Sequence, residues 1–298
     1  MLKKMKAVAA KWGFLPLAHR IKVYCFFDNP VLRLPIVRTI KACFFDANPF
    51  LGFYRFHFGA PKQFVLMTGT MRSGSTLLKA LLAEADDVSH LLEVEFGHYP
   101  LIWPELTLWC FYSLSNKPII VLKRPAQFDI YNHIPFENSF VRLKIIITLR
   151  NPYDTILSLK NAYKGSKTYP ELAEYWCRSM EMILDDKRLL SHDVLFSKYE
   201  DLVKEPVAQT EKIFKFINSR RTEGVRTYTA STTFKKFKLG RDDGFGKIKT
   251  GEVQEVKNKV FDEELLELLK NNQRLLKLSE RLGYSEHEAL GEIDNATA

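Results

Sequence analysis

This sequence predicts an α/β domain: a central parallel sheet with helices on both faces, preceded by a basic helical N-terminal segment. Three observations lead there. Short apolar runs at 64–68, 117–123 and 143–149, with a fourth at 193–198, lack the polar alternation of a half-exposed sheet. Helical stretches separate several of them, at 154–163 and 169–190. The first run passes straight into a glycine-bounded polar loop and then into Leu77-Leu78-Lys79-Ala80-Leu81-Leu82, which suits an amphipathic helix.

The bulk numbers allow one large domain. The chain has 298 residues, 46% of them hydrophobic, and no Pro/Gly/Ser-rich linker divides it. We read residues 1–298 as a single domain with a basic aromatic segment at 1–60, a core at 61–250 and a helical segment at 251–298. A net charge of +9 favours a polyanionic partner. The cations are scattered without a basic repeat, which argues against nucleic acid. Cys25, Cys43, Cys110 and Cys177 form no C-x-x-C pair, so they read as buried free thiols in a reducing compartment. Lys11, His19 and Arg20 interrupt any signal-peptide core. No uncharged apolar run reaches the roughly 18 residues of a membrane span. A soluble cytoplasmic protein is the expectation.

Taken in order, residues 1–60 mix Lys and Arg with Phe, Tyr, Leu and Ile, and 32–45 suggests short amphipathic helices. Such a segment can rest on a membrane surface, close over a pocket or pack on the core. The loop that follows the first strand is the most informative element. Gly69, four residues, then Gly74-Ser75-Thr76 has the spacing of a nucleotide P-loop, with serine where that motif has lysine. Backbone N–H groups at a helix N-terminus, with the helix dipole behind them, make an anion cradle. Hydroxyls of Ser73, Ser75 and Thr76 can add donors, and the cation has moved inside the loop, to Arg72. An ordinary strand-to-helix turn would contain similar residues.

Three of the four runs end in polar or charged groups: the loop with Arg72, Lys123-Arg124, and Arg150-Asn151. Ligands of parallel sheets bind beyond these carboxyl ends. Pro152 suits a first helical turn, and Ser158 follows on a face that Arg150 can share. An arginine and a hydroxyl converging this way can hold a phosphate, the arginine in a bidentate manner. Tyr99, Trp103, Trp109, Phe111 and Tyr112 could line an acceptor pocket, although such density is more often core. The leucines of 261–282 predict one packing helix.

The chain resembles the sulfotransferases that use 3′-phosphoadenosine 5′-phosphosulfate (PAPS). Thr70-Met71-Arg72-Ser73-Gly74-Ser75-Thr76-Leu77-Leu78 is similar to their 5′-phosphosulfate loop. Leu149-Arg150-Asn151-Pro152-Tyr153-Asp154-Thr155-Ile156-Leu157-Ser158 is similar to their 3′-phosphate motif. Tyr199-Glu200-Asp201-Leu202 resembles a segment that helps to build the donor site, and Gly244-Phe245-Gly246-Lys247 a loop that closes over it. The resemblance runs from about residue 64 to 249. It implies donor contacts from Arg72, Ser73, Gly74, Ser75, Thr76, Arg150, Ser158, Tyr199, Gly246 and Lys247, with 3′,5′-adenosine diphosphate as product and no metal. A sulfuryl group carries less negative charge than a phosphoryl group, so backbone donors, Arg72 and a lysine suffice to stabilise its transfer. Lys123 is the candidate for steadying the bridging oxygen.

One departure concerns the general base. Many cytosolic family members carry a Lys-Thr-His segment at the end of the second strand, whereas this chain reads Lys123-Arg124-Pro125. Glu93 lies 21 residues after Arg72, a spacing similar to the tyrosyl-protein branch, and is the first candidate. Glu95 is next, with His98 and His133 behind. The expected acceptor is a hydroxyl or amine of a small molecule, a microbial natural product being one class. Two other readings stand beside this one. A P-loop small-molecule kinase would need a lysine at position 75 and an acidic Mg²⁺ pair. A non-catalytic nucleotide- or membrane-surface-binding protein would keep the charge and lose the chemistry.

Overall fold

The structure, a computed structural model, describes residues 49–89, 109, 112–113, 115–123, 143–185, 192–229, 251–253 and 261–291. The basic segment expected at the N-terminus lies outside these residues up to position 48.

Four strands, β1 (Gln63–Gly69), β2 (Ile119–Lys123), β3 (Leu143–Leu149) and β4 (Asp193–Lys198), form one parallel sheet in the order β2-β1-β3-β4. The apolar runs of β1, β2 and β3 suit a sheet covered on both faces, because few positions along them need to face water. Side chains alternate between two apolar layers. Phe64, Leu66, Ile145 and Ile147 enter one, and Val65, Met67, Val121 and Ile146 the other. All eight are fully buried. Burial of each such side chain is worth about 1.5–3 kcal/mol, which fixes register, since a slip of one residue would exchange the layers. The edge strand β4 is less buried, with Phe196 at 39% exposure.

Helices cover both faces, as expected. On one lie α2 (Ser75–Leu82), α5 (Tyr199–Lys204) and α6 (Pro206–Phe216), through Leu78, Leu81, Leu82, Leu202, Ile213 and Phe214. On the other lie α3 (Pro152–Ala162) and α4 (Tyr169–Asp185), through Tyr153, Ile156, Trp176 and Met180, backed by α7 (Glu263–Lys270) and α8 (Gln273–Arg281). An outlying helix, α1 (Pro49–Phe58), precedes β1. A two-stranded antiparallel pair, β5 (Thr227–Tyr228) and β6 (Gly251–Glu252), and the short α9 (Glu286–Ala289) complete the set. Among the described residues no helix is long and apolar enough to cross a membrane.

Two expectations need correction. The single helix expected over 261–282 is two. Asn272 starts α8 afresh, its side chain accepting from the Leu275 N–H, and Asp262 caps α7 in the same way through the Leu265 N–H. Tyr112 belongs to the core rather than to a pocket wall. It is 2% exposed, packs edge-on against Phe56 and accepts a hydrogen bond from the Lys62 N–H. Trp109 packs edge-on against Phe53, while Tyr99, Trp103 and Phe111 lie outside the described residues.

Candidate active site

The strand order sets the position of the site. The chain leaves β1 for β2 on one side and finds β3 on the other, so a crevice opens beyond the carboxyl ends of β1 and β3. Gly69 pairs with Thr148 in register, which brings the loop after β1 alongside Arg150.

That loop is held by short polar contacts. The Ser73 hydroxyl donates to the Thr70 carbonyl at 2.7 Å and meets the Thr148 hydroxyl, also at 2.7 Å. Thr148 in turn reaches the Thr68 carbonyl at 3.0 Å. Ser73 is 1% exposed, so its hydroxyl shapes the loop, and what it can offer a ligand is its backbone N–H. The Met71 N–H donates to the Tyr175 hydroxyl from α4 at 3.1 Å. Burial pushes the Tyr175 phenol above its usual range.

Gly74 takes the N-cap position of α2 at φ 82° and brings no side chain to its first turn. The first-turn N–H groups of a helix lack acceptors within the helix, so here they face the crevice. A methyl group at Gly74 would lie 2.3 Å from Cδ2 of Tyr199, so the Tyr199 ring rests on the loop backbone. Arg72 also has a left-handed backbone, at φ 71°. This conformation throws its side chain across to α3, where its Nε donates to the Ser158 hydroxyl at 3.0 Å.

Arg150 comes in from the end of β3. One Nη donates to the Arg72 carbonyl at 3.4 Å, Asp154 lies 3.9 Å away, and the guanidinium stacks over the Tyr199 ring at 4.6 Å. Among the described residues its buried Nε has no hydrogen-bond partner. An unpaired buried N–H on a cation beside a hydroxyl and a second arginine suits an anion. Burial raises the Tyr199 phenol pKa, with Arg150 pulling the other way.

The base of this arrangement is tied by a set of hydrogen bonds. Asn151 caps α3 by accepting from the Asp154 N–H at 2.8 Å, and its amide donates to Glu200 and Asp154, both at 2.9 Å. Glu200 also accepts from the Asn151 N–H and, at 3.2 Å, from the Tyr284 hydroxyl. The start of α5 and the C-terminal helices are thereby tied to the residue next to Arg150. On the other flank, Lys123 ends β2 fully buried, and its Nζ donates to the Thr76 hydroxyl at 2.7 Å.

The structure thus brings Arg72, Gly74, Ser75, Thr76, Lys123, Arg150, Ser158 and Tyr199 to one end of the sheet. Glu93, Glu95, His98, His133, Gly246 and Lys247 lie outside the described residues. The sequence reading did not anticipate the supporting groups Thr148, Tyr175 and Glu200. Glu200 stood beside Tyr199 in a segment already singled out, whereas nothing local marks Thr148 or Tyr175.

A family model for the sulfotransferase domain matches residues 62–267. The chain belongs to the sulfotransferase family. The matched region takes in the site residues from Thr68 to Glu200 and leaves out Tyr284. Sulfotransferase 1A1 of Mus musculus is 29% identical over 135 residues, which cover 38% of this chain and 46% of that protein, under half of its length. Among solved structures, the sulfotransferase domain of the Synechococcus PCC 7002 olefin synthase matches 76% of this chain and 96% of its own, with TM-score 0.54 and 19% identity, a likeness of fold. Mouse sulfotransferase SULT7A1, solved as a complex with PAP, is 16% identical over 80% of this chain and 93% of its own, with TM-score 0.40.

Proposed function

We propose that this sulfotransferase-family chain moves a sulfuryl group from PAPS to a hydroxyl or amine of a small-molecule acceptor. The observation that carries the reading is the convergence of Arg72, Arg150 and Ser158 beside a helix N-terminus whose loop has Ser75 in place of the P-loop lysine. PAPS has two separated anionic ends, and the crevice offers two places for them. The α2 N-terminus with Ser75, Thr76 and Arg72 suits the phosphosulfate. Arg150, through its unpartnered Nε, and Ser158 suit the 3′-phosphate. Tyr199 backs the Arg150 guanidinium, and Gly246 and Lys247 would close over the donor.

PAPS supplies an activated sulfuryl group: the acceptor oxygen or nitrogen bonds to sulfur as the bond from sulfur to the phosphate oxygen breaks. Lys123, held at the end of β2 by its bond to Thr76, would meet charge that gathers on that leaving oxygen. Glu93 would take the proton released by the acceptor, with Glu95, His98 and His133 as the other candidates. A microbial natural product is one acceptor class within this reading. The buried free thiol of Cys177 is in keeping with a cytoplasmic setting, and we take the whole chain, 1–298, as one domain.

Calorimetry with 3′,5′-adenosine diphosphate and with ATP–Mg²⁺ tests the donor. The bisphosphate should bind the more tightly, and the reverse order would favour a kinase. A labelled-PAPS screen over alcohols, phenols and amines then identifies the acceptor.

A further inference from the structure

Among the described residues, helix α1 packs on the domain mainly through one face. Gly52 is buried, Phe56 packs edge-on against Tyr112 at 5.1 Å, and Arg55 turns inward to donate to the Ser113 carbonyl at 2.9 Å and the Tyr112 carbonyl at 3.3 Å. The sole Lys or Arg of the helix is thereby spent on the protein. The opposite face carries Phe50 at 86% exposure, Tyr54 at 61% and Phe58 at 71%, bordered by Phe53 at 41% and His57, which also meet Trp109. At 100° per residue these positions fall within one half of the helix. A surface helix ordinarily presents charge on its outward side, and this one presents rings.

The sequence leading into α1 supplies the complementary half. Over residues 1–48, Lys and Arg outnumber Asp and Glu by nine to two, whereas the remainder of the chain is close to neutral. Most of the net charge of +9 is therefore carried by the stretch that precedes α1 in the sequence.

We propose that the outward face of α1, with the basic residues before it, docks on an anionic lipid bilayer surface. Aromatic rings settle at the boundary of headgroups and acyl chains, while lysines and arginines meet the phosphate layer. A second copy of the chain is a poorer occupant, because pairing two such faces would bring two strongly basic segments together. The contact is peripheral, and it is independent of the chemistry proposed for the crevice.

Co-sedimentation of the full chain with vesicles tests this. One set is phosphatidylcholine alone, the other equal parts phosphatidylcholine and phosphatidylglycerol. Binding is expected only to the anionic set and should weaken as salt rises. Phe50→Ser with Phe58→Ser should reduce it by about tenfold or more, since both rings would leave the lipid. Lys3→Glu, Lys4→Glu and Lys6→Glu together should reduce it by about fivefold or more per residue. Both variants should bind 3′,5′-adenosine diphosphate as the parent does, which separates lost docking from lost folding.

Equal binding to neutral vesicles, or no loss in the Phe50/Phe58 variant, overturns the proposal. So does absence of vesicle binding. In that case light scattering that shows a dimer dissolved by the Phe50/Phe58 change identifies a second copy as the occupant. A monomer whose melting temperature falls with the same change identifies the chain's own basic segment as the cover.

Discussion

Replacing Arg150 with alanine isolates one end of the proposed donor site. Among the described residues this side chain makes only marginal polar contacts: a 3.4 Å bond to the Arg72 carbonyl and a 3.9 Å ion pair with Asp154. The buried Nε has no hydrogen-bond partner. The guanidinium therefore has donors to offer an incoming phosphate. A hydrogen bond to a charged group contributes about 1.5–3 kcal/mol, so Arg150→Ala should weaken 3′,5′-adenosine diphosphate by roughly 10- to 150-fold in calorimetry. Arg150→Lys keeps the charge without the planar fork and should fall between the two. The fold should survive, because stacking on Tyr199 and the loose ion pair together contribute only about 1 kcal/mol. Unchanged affinity in a folded Arg150→Ala protein would refute the reasoning. Arg150 would then be a prop for Arg72 and Tyr199, and the 3′-phosphate site would lie elsewhere.

Other expectations follow from neighbouring contacts. Gly74→Ala should destabilise the protein by about 1–3 kcal/mol, read as a lower melting temperature, because the new methyl meets Tyr199 in a left-handed backbone. Adding Tyr199→Ala should relieve the clash but not the backbone strain. Lys123→Met should lower turnover by about 10²–10³-fold with bisphosphate affinity less affected, if the amine acts mainly on the leaving oxygen. Glu93→Gln should spare binding and lower turnover by about 10²–10⁴-fold, and near-normal turnover would pass the role of base to Glu95, His98 or His133.

Lys62 gives a pH test away from the site. Burial, with Arg55 adding to it, pulls its pKa from 10.5 down to about 8. Between these values the unfolded chain binds more protons than the folded one, so this residue's contribution to stability rises as pH goes from about 8 to about 10.5. Urea titrations across that window should show the rise in the parent and its loss in Lys62→Met.

The sheet was legible because its strands are written as unbroken apolar runs, and burial on two faces demands that pattern. The split of the last long helix was not. Leucines recur at helical spacing on both sides of Asn271-Asn272, and periodicity cannot see that Asn272 turns its side chain back onto the Leu275 N–H. The asparagine pair was the signal, since asparagine favours helix caps. In the site, the loop and the Arg150 motif could be read from spacing and residue type. Their mutual arrangement could not. The sequence put Arg150 and Ser158 on one face, but it did not show that the Ser158 hydroxyl also takes a bond from Arg72, 86 residues away along the chain. The reach depends on a left-handed backbone that arginine does not advertise.

That backbone sets two demands against each other at a single position. An arginine at φ 71° holds a conformation about 1–2 kcal/mol above its preferred ones, and a glycine would sit there at ease. Arg72→Gly would thus relax the loop while stripping out its cation. Selection for heat tolerance alone would enrich the glycine, and selection for bisphosphate binding would purge it. On the proposed reading, the loop is kept taut by what it would hold.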